Sequence, residues 1–313
     1  MTIVDIIFDF LIKQNDLESG GRIKKIKKIL FRNFNEKWKS SNQKLDFSFS
    51  FRKKNEDALR FSYNNFGEKE KFYRKILDIF KIFGDEYDSD RLKRILDKLK
   101  SRTAEFQTTF GLEWLAGENL PRLKIYFEEI HQSIQKKERA EMAQKIAKII
   151  NFDYKKTGVN EKSDIGAICV DFLAQKKINF KIYLISDKIS VNSLRPILKE
   201  RVKLIKAVEK FLNIFSLEKM SFYYTTYRLD CKKTKSVKIY KIYDVDDRNY
   251  TLANKEIFEF LRSPFFGTGE SKRKIINLLA YAAENKIFFY PVIASIDLPL
   301  QDDPKVDLYL SIK

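Results

Sequence analysis

Glycine, proline and cysteine are scarce in this sequence of 313 residues, which has 10 glycines, 6 prolines and 2 cysteines. So few glycines and prolines argue against low-complexity linkers and indicate a chain ordered nearly throughout. The cysteines, Cys169 and Cys231, show no CxxC spacing and no nearby histidine cluster, so neither a disulfide framework nor a zinc site is indicated. This cysteine usage predicts a reducing, cytoplasmic location. The single histidine, His131, is expected to cap an element or face solvent.

Long apolar runs are also missing, and none would span a bilayer. The first segment, MTIVDIIFDFLIKQ, carries Asp5 and Asp9 among its apolar residues and lacks a basic leader. It therefore predicts an amphipathic helix and not a signal peptide. We expect a protein that has no membrane partner and that acts as a monomer.

Charge is abundant, and it is unbalanced toward the positive. Lys and Arg number 61 against 43 Asp and Glu, which gives a formal net charge of +18. A basic surface favours nucleic acid, because binding releases counterions from the phosphate backbone. The sequence has no RNP, zinc-finger or helix-turn-helix signature, and its acidic residues are interspersed with the lysines, so the nucleic-acid interpretation is disfavoured. Positive charge also suits a diphosphate.

The sequence is organised as a repeat of two alternating segments followed by a segment with helical periodicity. An N-terminal helical segment, 1–43, precedes repeats that start near residues 44, 105, 164, 220 and 287. Apolar residues at helical spacing predict helices at 72–99, 136–150, 194–215 and 255–283. We interpret residues 1–313 as a single α+β domain of five ββα repeats.

Ten strands with helices on one side would leave open edges in a flat sheet, so closure into an antiparallel barrel ringed by helices is expected. The alternation in the first strand places Phe47, Phe49 and Phe51 on one face and Asp46, Ser48 and Ser50 on the other. The phenylalanines should contact the helices. The prediction is therefore a ten-stranded barrel with a polar lumen, and a polar lumen indicates a binding site.

A Lys-Ile-Tyr motif recurs on the second strand of each of the middle repeats, as Lys124 with Tyr126, Lys181 with Tyr183, and Lys238 with Tyr240. Side chains two apart on a strand share a face, so each Lys and Tyr should point the same way. Lysine-rich strands that expose Lys and pack Tyr would give the same motif, but the equal phase favours a ring around one wall.

Such a ring has a chemical use. Ammonium groups bind the oxygens of a diphosphate, and aromatic faces attract and shield an allylic carbocation. The last repeat has Asp307 where the middle repeats have Lys and the first has Arg60, and this carboxylate would repel a diphosphate unless it pairs with a lysine or a metal.

With its Lys-x-Tyr strands, the chain resembles the ABBA (αββα) barrel family of aromatic prenyltransferases, in particular the bacterial phenol, naphthalene and phenazine branch. The resemblance covers essentially the whole chain. It implies a transferase that moves a dimethylallyl or longer prenyl group from an allylic diphosphate to an aromatic acceptor by electrophilic substitution. It implies a diphosphate-binding set of Arg60, Lys124, Lys181 and Lys238, and a cation shield of Tyr126, Tyr183, Tyr240 and Tyr309.

The segment Leu45-Asp46-Phe47-Ser48 is similar to the one with which a magnesium-dependent member of that family holds its metal, which makes Asp46 and Ser48 candidate Mg²⁺ ligands. A lone carboxylate in a lumen would equally balance Arg52 or Arg60, and several members of the family need no metal. No DDxxD motif is present, which fits diphosphate binding by Lys and Arg.

The acceptor pocket is expected on the odd-numbered strands. Alternation gives Glu113 and Asp171 as candidate bases. The remaining pocket candidates are Cys169, Thr225, Tyr227, Ser295 and Asp297. Two other functions stay open: a barrel that binds a hydrophobic or phosphorylated metabolite without turnover, and a nucleic-acid protein with its lysines on an outer face.

Overall fold

The computed structural model of the protein describes residues 3–14, 20–31, 43–51, 58–65, 69–100, 106–115, 120–128, 134–186, 194–195, 198, 201–215, 222–227, 236–243, 247–264, 269–287, 289–299 and 303–312. The strands are β1 (Gln43–Phe51), β2 (Ala58–Asn65), β3 (Gln107–Leu115), β4 (Arg122–Glu128), β5 (Ile165–Leu173), β6 (Lys177–Ser186), β7 (Phe222–Tyr227), β8 (Ser236–Ile242), β9 (Phe289–Pro299) and β10 (Lys305–Ile312). Each strand pairs antiparallel with its neighbours in sequence, and β1 pairs with β10, so the sheet closes into a barrel.

The helices are α1 (Ile3–Gln14), α2 (Gly20–Phe31), α3 (Lys69–Ile82), α4 (Ser89–Lys100), α5 (Lys136–Ile149), α6 (Val202–Ile214), α7 (Asp247–Arg262) and α8 (Gly269–Glu284). The α+β class and the antiparallel barrel are confirmed. Within the described ranges, no helix is both long and apolar enough to cross a membrane.

Apolar side chains from the outer face of the strands pack against the helices and form the core. Phe47 of β1 meets Phe8 of α1 edge-to-face at 5.9 Å between ring centroids, and Phe172 of β5 meets Phe80 of α3 at 5.1 Å. Trp114 of β3 is 1% exposed. Since successive side chains on a strand alternate between faces, the polar residues between these positions face the lumen.

Three helix predictions differ from the structure. In the predicted segment 194–215 the helix α6 begins only at Val202, after Arg201 in an extended conformation. The segment 72–99 is not one helix, because α3 ends at Ile82 and a 3₁₀ turn at Gly84–Glu86 precedes α4. Gly84 has φ of +60°, a left-handed conformation that glycine adopts without steric cost and that ends an α-helix. The segment 255–283 likewise divides into α7 and α8, separated by residues 263–268. Apolar periodicity identifies helical faces but does not mark such breaks.

Candidate active site in the barrel lumen

The Lys-x-Tyr residues form two successive levels along the barrel wall. Alternate strands of an antiparallel barrel run in the same direction, so β2, β4, β6, β8 and β10 are mutually parallel. Arg60, Lys124, Lys181, Lys238 and Asp307 hold equivalent places on these strands, and we call them the charged level. Tyr126, Tyr183, Tyr240 and Tyr309 lie two residues further along, about 7 Å away, and we call them the tyrosine level.

The cations of the charged level are paired with carboxylates from the odd strands. Glu113 of β3 contacts both Arg60 and Lys124, the latter at 2.6 Å between Nζ and Oε2. Asp171 of β5 contacts Lys181 and is aligned with Lys124 in the strand register. The cationic side chains keep between 10% and 16% of their exposure, as expected for groups that border a lumen.

Asp307 is the carboxylate around which the remaining lumen cations gather. Its carboxylate accepts from Arg60 and Lys238 at 3.2 and 3.0 Å, and Lys305 lies 3.2 Å from Oδ1. The residue is fully buried. Asp307 was expected to repel an anionic ligand unless it pairs with a lysine or a metal. It pairs with Lys238, Lys305 and Arg60, so these cations offset the repulsion.

Sequence reasoning missed Lys305. The predicted final strand began at Val306, but β10 begins one residue earlier, and Lys305 pairs with Asp297 of β9. Lys305 precedes Asp307 by two residues and so shares its face, a signal that alternation alone could have supplied. The lumen thus has one more cation than the Lys-x-Tyr motif revealed.

The two candidate bases are held as anions. Although burial opposes ionisation, the nearby Arg60 and Lys124 keep the pKa of Glu113 well below its usual value. Burial likewise opposes ionisation of Asp171, but Lys181 and Lys124 lower its pKa. A carboxylate stabilised in this way is a weaker proton acceptor. In this structure Glu113 forms an ion pair with Lys124, and Asp171 forms one with Lys181. The role of either residue as a base stays a prediction.

The tyrosine level is neutral and presents rings to positive charge. Burial, the largest cause, holds the pKa of Tyr126 and of Tyr183 well above the usual value, so both are un-ionised phenols. Lys238 Nζ lies 5.0 Å from the ring centroid of Tyr240 and 5.8 Å from that of Tyr309. These are cation–π distances, and they show that the rings accommodate a cation at this depth.

The predicted acceptor residues fall into two groups. Cys169 aligns with Tyr126 and Lys181, while Ser295 aligns with Tyr240 and Asp307, so both belong to the lumen face. Asp297 aligns with Lys238 and Lys305 and shares that face. All three therefore lie beside the charged and tyrosine levels and not beyond them.

For Thr225 and Tyr227 the structure describes the backbone register and not the side chains. On β7, Thr225 aligns with Leu184 and Val237, and Val237 belongs to the outer core. The positions in line with lumen residues are Tyr224, opposite Lys238, and Thr226, opposite Tyr183. The run FYYTTY is polar or aromatic at every position, so its alternation could not fix the phase.

Several buried polar atoms of the lumen face have no hydrogen-bond partner within the described part of the chain. They are Nε of Arg60, Oγ of Ser236 and Oγ of Ser295. Buried polar atoms of native proteins are nearly always satisfied by protein, water or a ligand. Their partners are therefore expected among water, a ligand, and protein groups outside the described residues.

A further carboxylate, Glu128, lies beyond the tyrosine level on β4, two residues after Tyr126. Its Oε2 accepts from Thr109 Oγ1 at 2.6 Å and from Gln107 Nε2 at 3.4 Å. Ile185 and Ile242 hold the equivalent places on β6 and β8. The sequence analysis did not single out Glu128, although the i+2 rule that paired Lys124 with Tyr126 extends to it.

The proposed metal ligands receive little support. Ser48 is buried on the lumen face, opposite Arg60 and Tyr309, whereas the side chain of Asp46 and all of His131 lie outside the described residues. Among the described residues, no group of three or more His, Cys, Asp or Glu side chains is arranged to hold a metal ion.

No protein-family model matches the chain, and no curated protein matches it. Solved structures do. The chain is similar to 6-dimethylallyltryptophan synthase from Micromonospora olivasterospora in complex with DMASPP and Trp, with 13% identity, a TM-score of 0.70, and coverage of 98% of this chain and 96% of that one.

It is also similar to 5-dimethylallyltryptophan synthase from Streptomyces coelicolor, with 12% identity, a TM-score of 0.65 and coverage of 97% and 95%. A third match is prenyltransferase PriB in ternary complex with L-tryptophan and dimethylallyl thiolodiphosphate, with 13% identity, a TM-score of 0.68 and coverage of 98% and 94%. The fold is therefore that of the ABBA-type aromatic prenyltransferases, and these matches cover 97% or more of the chain.

Proposed function

We propose that this protein is an aromatic prenyltransferase, which transfers a dimethylallyl or longer prenyl group from an allylic diphosphate to an aromatic acceptor. One observation carries the proposal: a level of four lumen cations lies directly below a level of four tyrosines, on the parallel strands of a barrel with this fold. The matched PriB structure contains L-tryptophan and dimethylallyl thiolodiphosphate, which supports the same substrate classes here.

The cations bind and activate the donor. Arg60, Lys124, Lys181 and Lys238 would hold the diphosphate and stabilise the charge that grows on it as the C1–O bond breaks. The prenyl group then lies among Tyr126, Tyr183, Tyr240 and Tyr309, whose neutral rings attract the allyl cation and exclude water. The acceptor ring attacks C1 and then loses a proton, which restores its aromaticity.

Glu128 is our candidate for the acceptor side. It lies on the opposite side of the tyrosine level from Lys124, which is where a ring attacking C1 would extend. Its hydrogen bonds to Thr109 and Gln107 fix a carboxylate that can accept a hydrogen bond or the proton from the acceptor. Glu128→Gln should lower product formation at least tenfold while leaving donor-analogue binding within about twofold, because only the acceptor side changes. Equal product formation would remove Glu128 from the mechanism.

Magnesium dependence stays a prediction. Ser48 borders Arg60, and a cation next to a guanidinium is electrostatically disfavoured unless the diphosphate lies between them. The described residues do not form a metal site, so no step is assigned to Mg²⁺. Product formation in EDTA compared with added Mg²⁺ decides the point.

The direct test of the function is an incubation with dimethylallyl, geranyl and farnesyl diphosphates against indole, phenol, naphthalene and phenazine acceptors, followed by mass spectrometry. We expect at least one acceptor to gain the mass of one prenyl group, with release of one diphosphate per product. Lys206→Met, an exposed residue of α6, serves as the matched control and should leave the yield unchanged. Absence of any prenylated product with all donors would contradict catalysis.

A barrel that binds a ligand without turnover is the second candidate. The observation in its favour is the set of carboxylates, because Glu113, Asp171 and Asp307 already neutralise much of the lumen charge. A ligand with less negative charge than a diphosphate would suit such a lumen. Tight binding of the donor analogue with no product would favour this alternative.

We further propose that residues 1–313 form one domain built from five ββα units, in the manner of the bacterial members of the family. The pairing of β1 with β2, β3 with β4, and so on, supports this division. The monomeric state and cytoplasmic location remain predictions.

A further inference from the structure

Lys305 lies in a crowded group of cations around one carboxylate. Oδ1 of Asp307 is 3.2 Å from Arg60 Nη1 and 3.2 Å from Lys305 Nζ, so these two cations share a single oxygen. Lys238 contacts Oδ2 of the same carboxylate at 3.0 Å. Three cations therefore converge on one buried anion, an arrangement with room for further negative charge.

The charges that face Lys305 come from several strands. Arg60 on β2 and Lys238 on β8 repel its protonated form, while Asp307 on its own strand and Glu113 on β3 attract it. Asp297 on β9 is its paired neighbour, and on β1 the described residues aligned with Tyr309 and Asp307 are Ser48 and Ser50. Burial first, and Arg60 second, lower the pKa of Lys305 to about 7. Without a bound anion to offset this effect, the amine is partly neutral near physiological pH.

We infer that Lys305 is a fifth cationic ligand of the diphosphate, and that it takes up one proton from solution when the diphosphate binds. The inference rests on the proposed function. A phosphate oxygen beside Lys305 would supply the negative charge that the shared Asp307 cannot, and this charge favours the ammonium form. Binding of the anion and binding of the proton therefore reinforce each other.

The direction of the pH dependence follows from this linkage. Well below pH 7 Lys305 is already protonated in the free protein, so its protonation no longer limits the affinity there. Above it, affinity should fall as pH rises, by up to about tenfold per pH unit, because each binding event must first collect a proton. The ligand's own phosphate ionisation, with a pKa of about 6, is complete in this range.

The test measures binding of dimethylallyl thiolodiphosphate by titration calorimetry between pH 6.5 and 9, in buffers that differ in ionisation enthalpy. At pH 8.5 we expect uptake of roughly one proton per ligand. Lys305→Arg keeps a permanent charge, so this variant should bind at pH 7.5 within about threefold of the parent and lose the pH dependence. Lys305→Met should bind weakly at every pH.

Different results would contradict the proposed function and the role of Lys305. Failure of both the parent and Lys305→Arg to bind the analogue at pH 6.5 would contradict the proposed function itself. Binding without proton uptake overturns the inference alone. So does an unchanged pH dependence in Lys305→Arg, which would assign the proton to another group such as Lys124, whose pKa burial also lowers. The number of protons taken up is measured on the parent protein, so this test does not depend on the folding of any variant.

Discussion

Replacement of Lys124 and Lys181 together by Met is expected to reduce the affinity for dimethylallyl thiolodiphosphate by about 10² to 10⁴-fold. Each lysine contributes a charge-assisted hydrogen bond to phosphate, worth about 1.5–3 kcal/mol, and the two are on β4 and β6, parallel strands on either side of β5. Methionine keeps much of the buried volume of each side chain. Titration calorimetry at pH 7 measures the loss.

This double variant is measured beside two control variants. Removal of Lys181 leaves the buried Asp171 without its closest cation, which alone would destabilise the fold. Adding Asp171→Asn neutralises that carboxylate and should restore the melting temperature without restoring affinity. Lys206→Met with Lys210→Met removes the same charge from the exposed face of α6 and should bind normally. Unchanged affinity in the lumen variant, with the fold intact, would contradict the diphosphate assignment.

Asp307→Asn is expected to have opposite effects on the empty and the loaded protein. Without ligand, Arg60, Lys238 and Lys305 lose their shared anion, and we expect a loss of about 3–5 kcal/mol in the free energy of unfolding. With the diphosphate analogue bound, phosphate oxygens replace the missing charge. Affinity should therefore rise about tenfold or more, since a repulsive carboxylate is gone.

Denaturant unfolding with and without saturating analogue measures both effects. Asp303→Asn, which removes a carboxylate that contacts Lys203 at the surface, is the matched control and should change neither quantity appreciably. Weaker binding by Asp307→Asn would show that the carboxylate organises the cations for the ligand, and it would contradict the expectation that Asp307 repels the bound diphosphate.

Much of the barrel was predictable because its strands alternate clearly. In β3 the sequence QTTFGLEWL places Phe110, Leu112 and Trp114 on the outer face, and the structure buries all three there. The phase of β7 was not predictable, because FYYTTY offers no apolar–polar contrast. What the structure adds for this strand is its backbone register with β6 and β8.

The residues of the candidate site that belong to a repeated motif were predictable from the sequence. Single residues outside the motif were not. Lys124, Lys181 and Lys238 were identified because the same triplet recurs at one phase. Lys305 lies at the first residue of its strand and belongs to no triplet, and its role depends on cations from β2 and β8 that meet it only in the folded barrel. The ion pairs of Glu113 and Asp171 are equally non-local. The sequence therefore indicated two candidate bases and did not indicate that lysines pair with them.

The central claim is that the lumen cations bind an allylic diphosphate with its prenyl group toward the tyrosines. A crystal structure of the protein with dimethylallyl thiolodiphosphate tests this most directly. We predict both phosphates among Arg60, Lys124, Lys181, Lys238 and Lys305, and the C1 carbon at the level of Tyr126 and Tyr240. Phosphates bound only on the outer, helix-covered surface, or a prenyl chain pointing away from the tyrosines, would contradict the account.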